Sequence, residues 1–303
     1  MVNTTKFQEL ISARLNGVEL RFFEPMAKHT SFQIGGPAEV MAFPKNSEEL
    51  AEILKQSALL DCKAVILGAG TNVLAPDEGM DGLVICLKDC LNGMEQLDAT
   101  RIRVAAGVTM SRAAVFAAGL NLGGLEFAHG IPGTVGGGVY MNAGAYGGEI
   151  KDVCESVTVM YRDGSVVTYS TDQMAFSYRH SRLEEEDGIV VSAVFSLSPK
   201  PEEEVRALMQ ELLKKRKTSQ PLEYPSAGSA FKRPVGGYAA ALIDQAGLKG
   251  FTVGGAQVSL KHAGFVVNVG NATAADVKEL LQLTAEKVYA HSGIQLEPEV
   301  RIW

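Results

Sequence analysis

The chain has 303 residues, 46% of them hydrophobic and 21% charged, with a formal net charge of -7. That length suits about two domains with a sizeable core, and the composition excludes a disordered or fibrous chain. The acidic balance, with no basic run longer than Lys214–Lys217, argues against nucleic acid and anionic membrane as partners, so an anionic ligand must be held by local groups.

The opening MVNTTKFQELISARL places Phe7, Leu10, Ile11 and Leu15 on one helical face. It lacks a basic flank followed by an apolar block, and no apolar run approaches the ~20 residues of a membrane span, so a cytoplasmic protein is expected. EVMAF then reads as a strand. NSEELAEILKQSALL reads as a helix capped by Ser47, with Glu48 and Glu49 favoured in its first turn. KAVIL is a buried strand running into GAGTN, GLVICL and RIRVAAG are further strands, and TMSRAAVFAAGLN is a helix. SVTVMYRDGSVVTYS reads as a hairpin turning at Asp163–Gly164, followed by the long strand GIVVSAVFSL. Cys62, Cys86, Cys90 and Cys154 form no C-x-x-C pair and read as reduced core residues.

At SPKPEEE the character changes, with two prolines and three consecutive acids marking a boundary. EEEVRALMQELLKKRK is a helix with acids first and bases last, matching its dipole. GYAAALIDQAG (helix), GFVVNV (strand), ATAADVKELLQLTAEKVYAHSG (long helix) and PEVRIW (strand) follow. The pattern gives an α+β unit over residues 1–198 and a smaller α/β unit over 199–303, with no internal repeat.

Two segments are built to lay backbone against an anion. GIPGTVGGGVYMNAGAYGG, Gly130 to Gly148, holds eight glycines in nineteen residues, and LGAGTNVLAP follows an apolar strand directly. Backbone N–H groups of such loops form anion-binding concavities, and glycine permits close approach and positive φ. GAGTNV has the first two glycines of a dinucleotide fingerprint but not the third, and no G-x-x-x-x-G-K-[ST] exists. Alone, GAGTN reads equally as a plain turn. The longer stretch is too apolar, through Ile131, Val135, Val139, Tyr140 and Met141, for a solvated linker.

Three polar constellations remain. Arg179 in FSYRHS is either a fork for a carboxylate or enolate, or a structural arginine. Ser229 in PSAGSAFKRP, with Lys232 and Arg233 close by, is either a proton donor or a cap; the absence of a G-x-S-x-G elbow argues against an acyl-enzyme serine. Glu297 and Glu299 in LEPEVRIW share one face at strand spacing, or are solvated acids. His29, His129, His180, His262 and His291 show no metal-ligand spacing, so no metal site is indicated.

With TSFQIGGPAEV, LGAGTNVL, GIPGTVGGGVYMNAGAYGGE, FSYRHS, KTSQPLEYPSAGSAFKRP, HAGFVVN and LEPEVRIW in this order, the chain resembles the UDP-N-acetylenolpyruvoylglucosamine reductases of bacterial peptidoglycan synthesis. It looks like their compact class, which lacks an inserted substrate-covering segment. The resemblance implies a flavin-binding unit of the vanillyl-alcohol-oxidase/p-cresol-methylhydroxylase type, in subdomains near 1–78 and 79–198, and a substrate domain over 199–303. It implies non-covalent FAD, NADPH as co-substrate and UDP-N-acetylglucosamine enolpyruvate as substrate, with no obligate protein partner. By motif, the catalytic residues carry over as Arg179, Ser229 and Glu299, and the substrate contacts as Lys217, Arg233 and His262. Gly68, Ala69, Gly70, Thr71 and Asn72 would hold the FAD diphosphate. Gly130, Ile131, Pro132, Gly133, Gly136 and Gly137, with Asn142, Ala143 and Gly144, would pass beside the phosphates and flavin. His129 and Gly138 stand where the family more often has a small residue and alanine. Two other readings compete: an oxygen-using flavin oxidase of the same fold, which needs no acid such as Ser229, and a non-catalytic nucleotide-binding protein.

Overall fold

The computed structural model describes residues 9, 11–88 and 90–303. The chain forms two compact units: one of residues 1–22, 39–69 and 81–215, the other of 23–38, 70–80 and 216–303. Of the expected first helix, Phe7 and Leu10 lie outside the described residues, while Ile11 and Leu15 are buried.

Two larger sheets form the body of the first unit. In one, the strands run in the order Glu19–Pro25, Pro37–Phe43, Met80–Cys86, Ala64–Leu67, and the last two pair in parallel. The helix Ser47–Leu59 buries Leu50, Ile53 and Leu54 against Val40, Ala42, Leu83 and Ile85. Its cap is Asn46 rather than the expected Ser47: the Asn46 side chain accepts from the Glu49 N–H at 2.8 Å, because a carbonyl one residue earlier reaches the third helical amide. The second sheet has the order Val166–Ser170, Cys154–Met160, Ile189–Ser196, Arg101–Ala105, Met94–Gln96. Its first two strands are the expected hairpin, with Met160 opposite Val166 and Gly164 at φ +83° in the turn. Helix Met110–Gly119, capped by Thr109, packs small residues Ala113, Ala114, Ala117 and Ala118 into this core.

The second unit is built on a four-stranded sheet, Ser226–Ser229, Phe265–Asn268, Ala256–Val258, Thr252–Val253. Helix Ala274–Ser292 starts in a capping box between Thr273 and Asp276 and ends on Gly293 at φ +71°. Its Val277, Leu280, Leu281 and Val288 complete the core with Phe32, Ile34 and Leu74. The expected terminal strand is short: Arg301–Ile302 pairs in parallel with Val73–Leu74. All four cysteines are free thiols, and burial raises Cys90 and Cys154 to about 12 and Cys62 to about 11, so these three stay protonated.

Candidate active site

Within the first unit the glycine-rich stretch is partly helical. Thr134 caps a short helix, Val135–Tyr140, accepting from the Gly137 N–H. A Cβ added at Gly136 would lie 2.9 Å from Ala106 Cβ, one at Gly138 2.8 Å from Met110 Sδ, and one at Gly148 2.7 Å from the Phe127 ring. These three glycines let the segment lie close against Ala106, Met110 and Phe127, so part of the stretch serves internal packing. Gly138 thus matches Met110: an alanine there would need that side chain to shift.

A Cβ at Gly68 would lie 2.8 Å from Thr134 Oγ1, so the two glycine segments meet. The N–H groups of Gly68, Ala69, Gly133 and Thr134 donate to no protein acceptor among the described residues. Convergent donors on backbone that close form an anion cradle without any cationic side chain. A diphosphate fits that donor set.

Arg179 stands in a tight turn. Ser177 N donates to His180 O at 3.1 Å and His180 N to Ser177 O at 3.2 Å, which leaves Tyr178 and Arg179 as the two turn residues. Arg179 has φ +56°. An arginine in that left-handed region costs on the order of 1 kcal/mol and persists only where surroundings enforce it. Its guanidinium lies over the Tyr178 ring at 5.0 Å, and Nη2 donates to Gly144 O at 3.3 Å. Tyr178 was missed by sequence reasoning; the signal was an aromatic inside a polar turn, left 47% exposed.

Within the second unit, Ser229 ends a strand rather than sitting in a turn. Ser229 pairs with Phe265 and Ser226 with Val267, and a bulge falls between them at Gly228, φ +79°. Bulges of this kind re-aim a side chain. Ala227 and Ala230 are buried while Ser229 is exposed. The Ser229 hydroxyl makes no hydrogen bond among the described residues, which removes the capping alternative. Glu299 is brought beside it: Glu299 N donates to Ala230 O at 2.9 Å. Asn72 joins the same group, its Nδ2 donating to Glu299 O at 3.2 Å. Gly70, at φ +62°, has no room for a side chain, since a Cβ would lie 2.1 Å from His29 O. Glu297 and Glu299 do present a common backbone edge, with Lys232 N donating to Glu297 O at 2.8 Å.

The segments of Lys217 and His262 also meet: Lys261 Nζ donates to Lys217 O at 3.0 Å. Arg233 lies over the Tyr238 ring at 4.1 Å. His262 is half-buried, edge-on to Phe265, and its Nδ1 accepts from the Gly264 N–H at 3.2 Å. That bond assigns the proton of the neutral ring to Nε2. Burial chiefly lowers its pKa below the ordinary histidine value, and the Lys249 charge adds to this. The unfolded chain therefore takes up a proton at a pH where folded His262 does not, so its contribution to stability is full above the unfolded value and declines as pH falls below it. In an NMR titration the His262 ring is expected to have its midpoint below about 6.5; a midpoint at or above that value would contradict the buried, neutral donor. Among the described residues no cluster of His, Cys, Asp or Glu forms a metal site.

Residues 220–303 match the C-terminal domain of UDP-N-acetylenolpyruvoylglucosamine reductase, and residues 38–170 match an FAD binding domain. A UDP-N-acetylenolpyruvoylglucosamine reductase of Agathobacter rectalis is 46% identical over 307 aligned positions, covering 98% of each chain. The chain belongs to the UDP-N-acetylenolpyruvoylglucosamine reductases. Reductases of the same name from Syntrophomonas wolfei and Streptococcus pneumoniae are each 45% identical, over 93% and 95% of this chain and 94% and 95% of theirs. The crystal structure of the Thermus caldophilus reductase superposes with a TM-score of 0.77 at 36% identity, covering 94% of this chain and 98% of that one. This family member is accordingly an α+β flavoprotein oxidoreductase with an FAD-binding domain followed by the family's C-terminal domain.

Proposed function

We propose that this enzyme reduces UDP-N-acetylglucosamine enolpyruvate to UDP-N-acetylmuramate, a peptidoglycan precursor, and that Arg179, Ser229 and Glu299 carry the substrate half of the reaction. FAD, when bound, would supply the hydride chemistry that links NADPH to the vinyl carbon C3 of the substrate. The N–H groups of Gly68, Ala69, Gly133 and Thr134 are the donors assigned to its diphosphate, with Gly70, Thr71 and Asn72 continuing one loop and Gly130, Ile131, Pro132, Gly136, Gly137, Ala143 and Gly144 the other. Both Asn142 side-chain hydrogens are engaged within the protein, so residue 142 would meet the cofactor through its backbone.

As C3 gains hydrogen, negative charge builds at C2 and spreads into the substrate carboxylate. Arg179 is the cationic fork for that charge. Glu299 is its second hydrogen-bonding partner, as a carboxylic acid or through an intervening group. The resulting enolate is a strong base, so a weak acid suffices to quench it: Ser229 Oγ gives its proton to C2. The observation that carries this assignment is the exposed Ser229 hydroxyl, aimed by a glycine bulge and bonded to nothing among the described residues. Lys217 and Arg233 are the cations assigned to the diphosphate or carboxylate of the substrate, and His262 contributes a neutral Nε2–H. The FAD contacts are assigned within residues 1–198 and the substrate contacts Lys217, Arg233 and His262 within 199–303, although residues 23–38 and 70–80 belong to the same compact unit as 216–303. Among the described residues no helix is long and apolar enough to cross a membrane, and the reading places the enzyme in the cytoplasm.

An absorbance scan of purified protein, followed by NADPH with and without the enolpyruvyl substrate, tests the function: a flavin spectrum, bleached by NADPH and restored by substrate, is expected. FAD is held without a covalent link. Acid precipitation is expected to release yellow FAD into the supernatant. Colour retained in the pellet would overturn this and point to His129, whose Nδ1 lies 3.2 Å from Ser111 Oγ beside the glycine stretch.

A further inference from the structure

The turn bearing Arg179 is tied to the glycine-rich segment at three points. Asn142 is fully buried; its Nδ2 donates to Ser177 O at 2.9 Å and to Glu149 Oε2 at 2.6 Å, and its Oδ1 accepts from Lys151 N at 2.9 Å. Ser181, also fully buried, donates to Tyr140 O at 2.7 Å. Arg179 Nη2 reaches Gly144 O. Ser177 and Ser181 bracket the two turn residues, so both ends of the turn are pinned to residues 140–142.

We propose that Asn142 is a positioning residue for Arg179, clamping the 177–180 turn so that the guanidinium is presented in its left-handed conformation. This rests on the assignment of Arg179 to the substrate half of the reaction. A two-residue turn holding an arginine at φ +56° relaxes unless its ends are fixed. Asn142 fixes one end through a carboxamide whose two donors point at two acceptors, a carbonyl and a carboxylate. No other small side chain offers two such donors. Asn142 itself has φ +41°, which asparagine and aspartate both tolerate. Asn142→Asp therefore keeps backbone and size while setting an acceptor against Ser177 O and Glu149, and it isolates the donors.

The experiment compares holoenzymes of wild type, Asn142→Asp, Arg179→Ala and the double variant. Anaerobic stopped-flow absorbance follows reduction by NADPH and reoxidation by UDP-N-acetylglucosamine enolpyruvate separately, and limited trypsin digestion with mass spectrometry follows cleavage after Arg179. For Asn142→Asp, reoxidation is expected to be about 10- to 100-fold slower, the scale of a misplaced catalytic group, and to be slowed at least about tenfold more than reduction by NADPH is. In the Arg179→Ala background the same change should add less than about twofold, because the two act as one unit. Cleavage after Arg179 should be faster in Asn142→Asp. Equal slowing of both half-reactions, multiplicative slowing in the double variant, or unchanged rates and digestion would each overturn the proposal. Wild-type reoxidation by Arg179→Ala alone would overturn the assignment of Arg179 on its own arm, and the clamp's catalytic meaning with it. If Asn142→Asp does not yield folded yellow protein, Asn142→Gly replaces it: glycine also accepts the backbone conformation, and the same selective slowing is required.

Discussion

Ser229→Ala is expected to be reduced by NADPH at a near-normal rate and then to be reoxidised by the enolpyruvyl substrate about 10²- to 10⁴-fold more slowly than wild type, the range of general acid catalysis. The asymmetry follows from the role. A proton donor to C2 has no task while NADPH reduces FAD, and without it the enolate is quenched poorly and hydride transfer reverses. A fold-level effect of the substitution is not expected, because alanine at the end of a bulged strand keeps the same pairing with Phe265 and the lost hydroxyl leaves no protein group unpaired among the described residues. Ser229→Cys should recover part of the rate, since a thiol also donates a proton. Stopped-flow measurement of each half alone decides it. Tolerance of alanine in both halves would reduce Ser229 to a structural residue, and equal slowing of both would locate the damage at the flavin.

Arg179→Lys is expected to slow the substrate half-reaction at least about tenfold, roughly 1.4 kcal/mol of transition-state stabilisation, although it keeps the charge. Lysine loses the planar two-point donation and the stacking that guanidinium makes on Tyr178. Arg179→Ala should lose about 10²- to 10³-fold, the scale of removing one preorganised donor from a developing anion. Reduction by NADPH should change little in either. Wild-type turnover by Arg179→Lys would show that charge alone matters at this position, and wild-type turnover by Arg179→Ala would remove it from the mechanism.

Both predictions attach to residues whose chemistry was open in the sequence. Taken alone, Arg179 read more readily as structural, and Ser229 equally as a cap or turn residue. Spacing could address neither ambiguity, because it says nothing of the backbone conformation beneath each residue or of the groups packed around it. Gly228 gave no sign that it opens a bulge, and nothing in FSYRHS announces that the arginine has positive φ. The glycine stretch misled in one respect: its glycines read as ligand-facing, yet Gly136, Gly138 and Gly148 are small because Ala106, Met110 and Phe127 stand against them.

The sequence by itself determined the elements whose cause is local. Apolar periodicity set the helices Ser47–Leu59, Met110–Gly119 and Ala274–Ser292, and Asp163–Gly164 set the hairpin. The ordered motifs determined the family, since no single motif was specific but their succession was. Tertiary structure decided how those motifs are used. Asn72 and Glu299 are 227 residues apart, Asn142 and Ser177 are 35 apart, and each pair is joined by one hydrogen bond. Such bonds leave no periodic trace, because their partners come together only when separate elements pack, and it is packing that leaves the Ser229 hydroxyl bare and holds Arg179 in a conformation its own residue type disfavours.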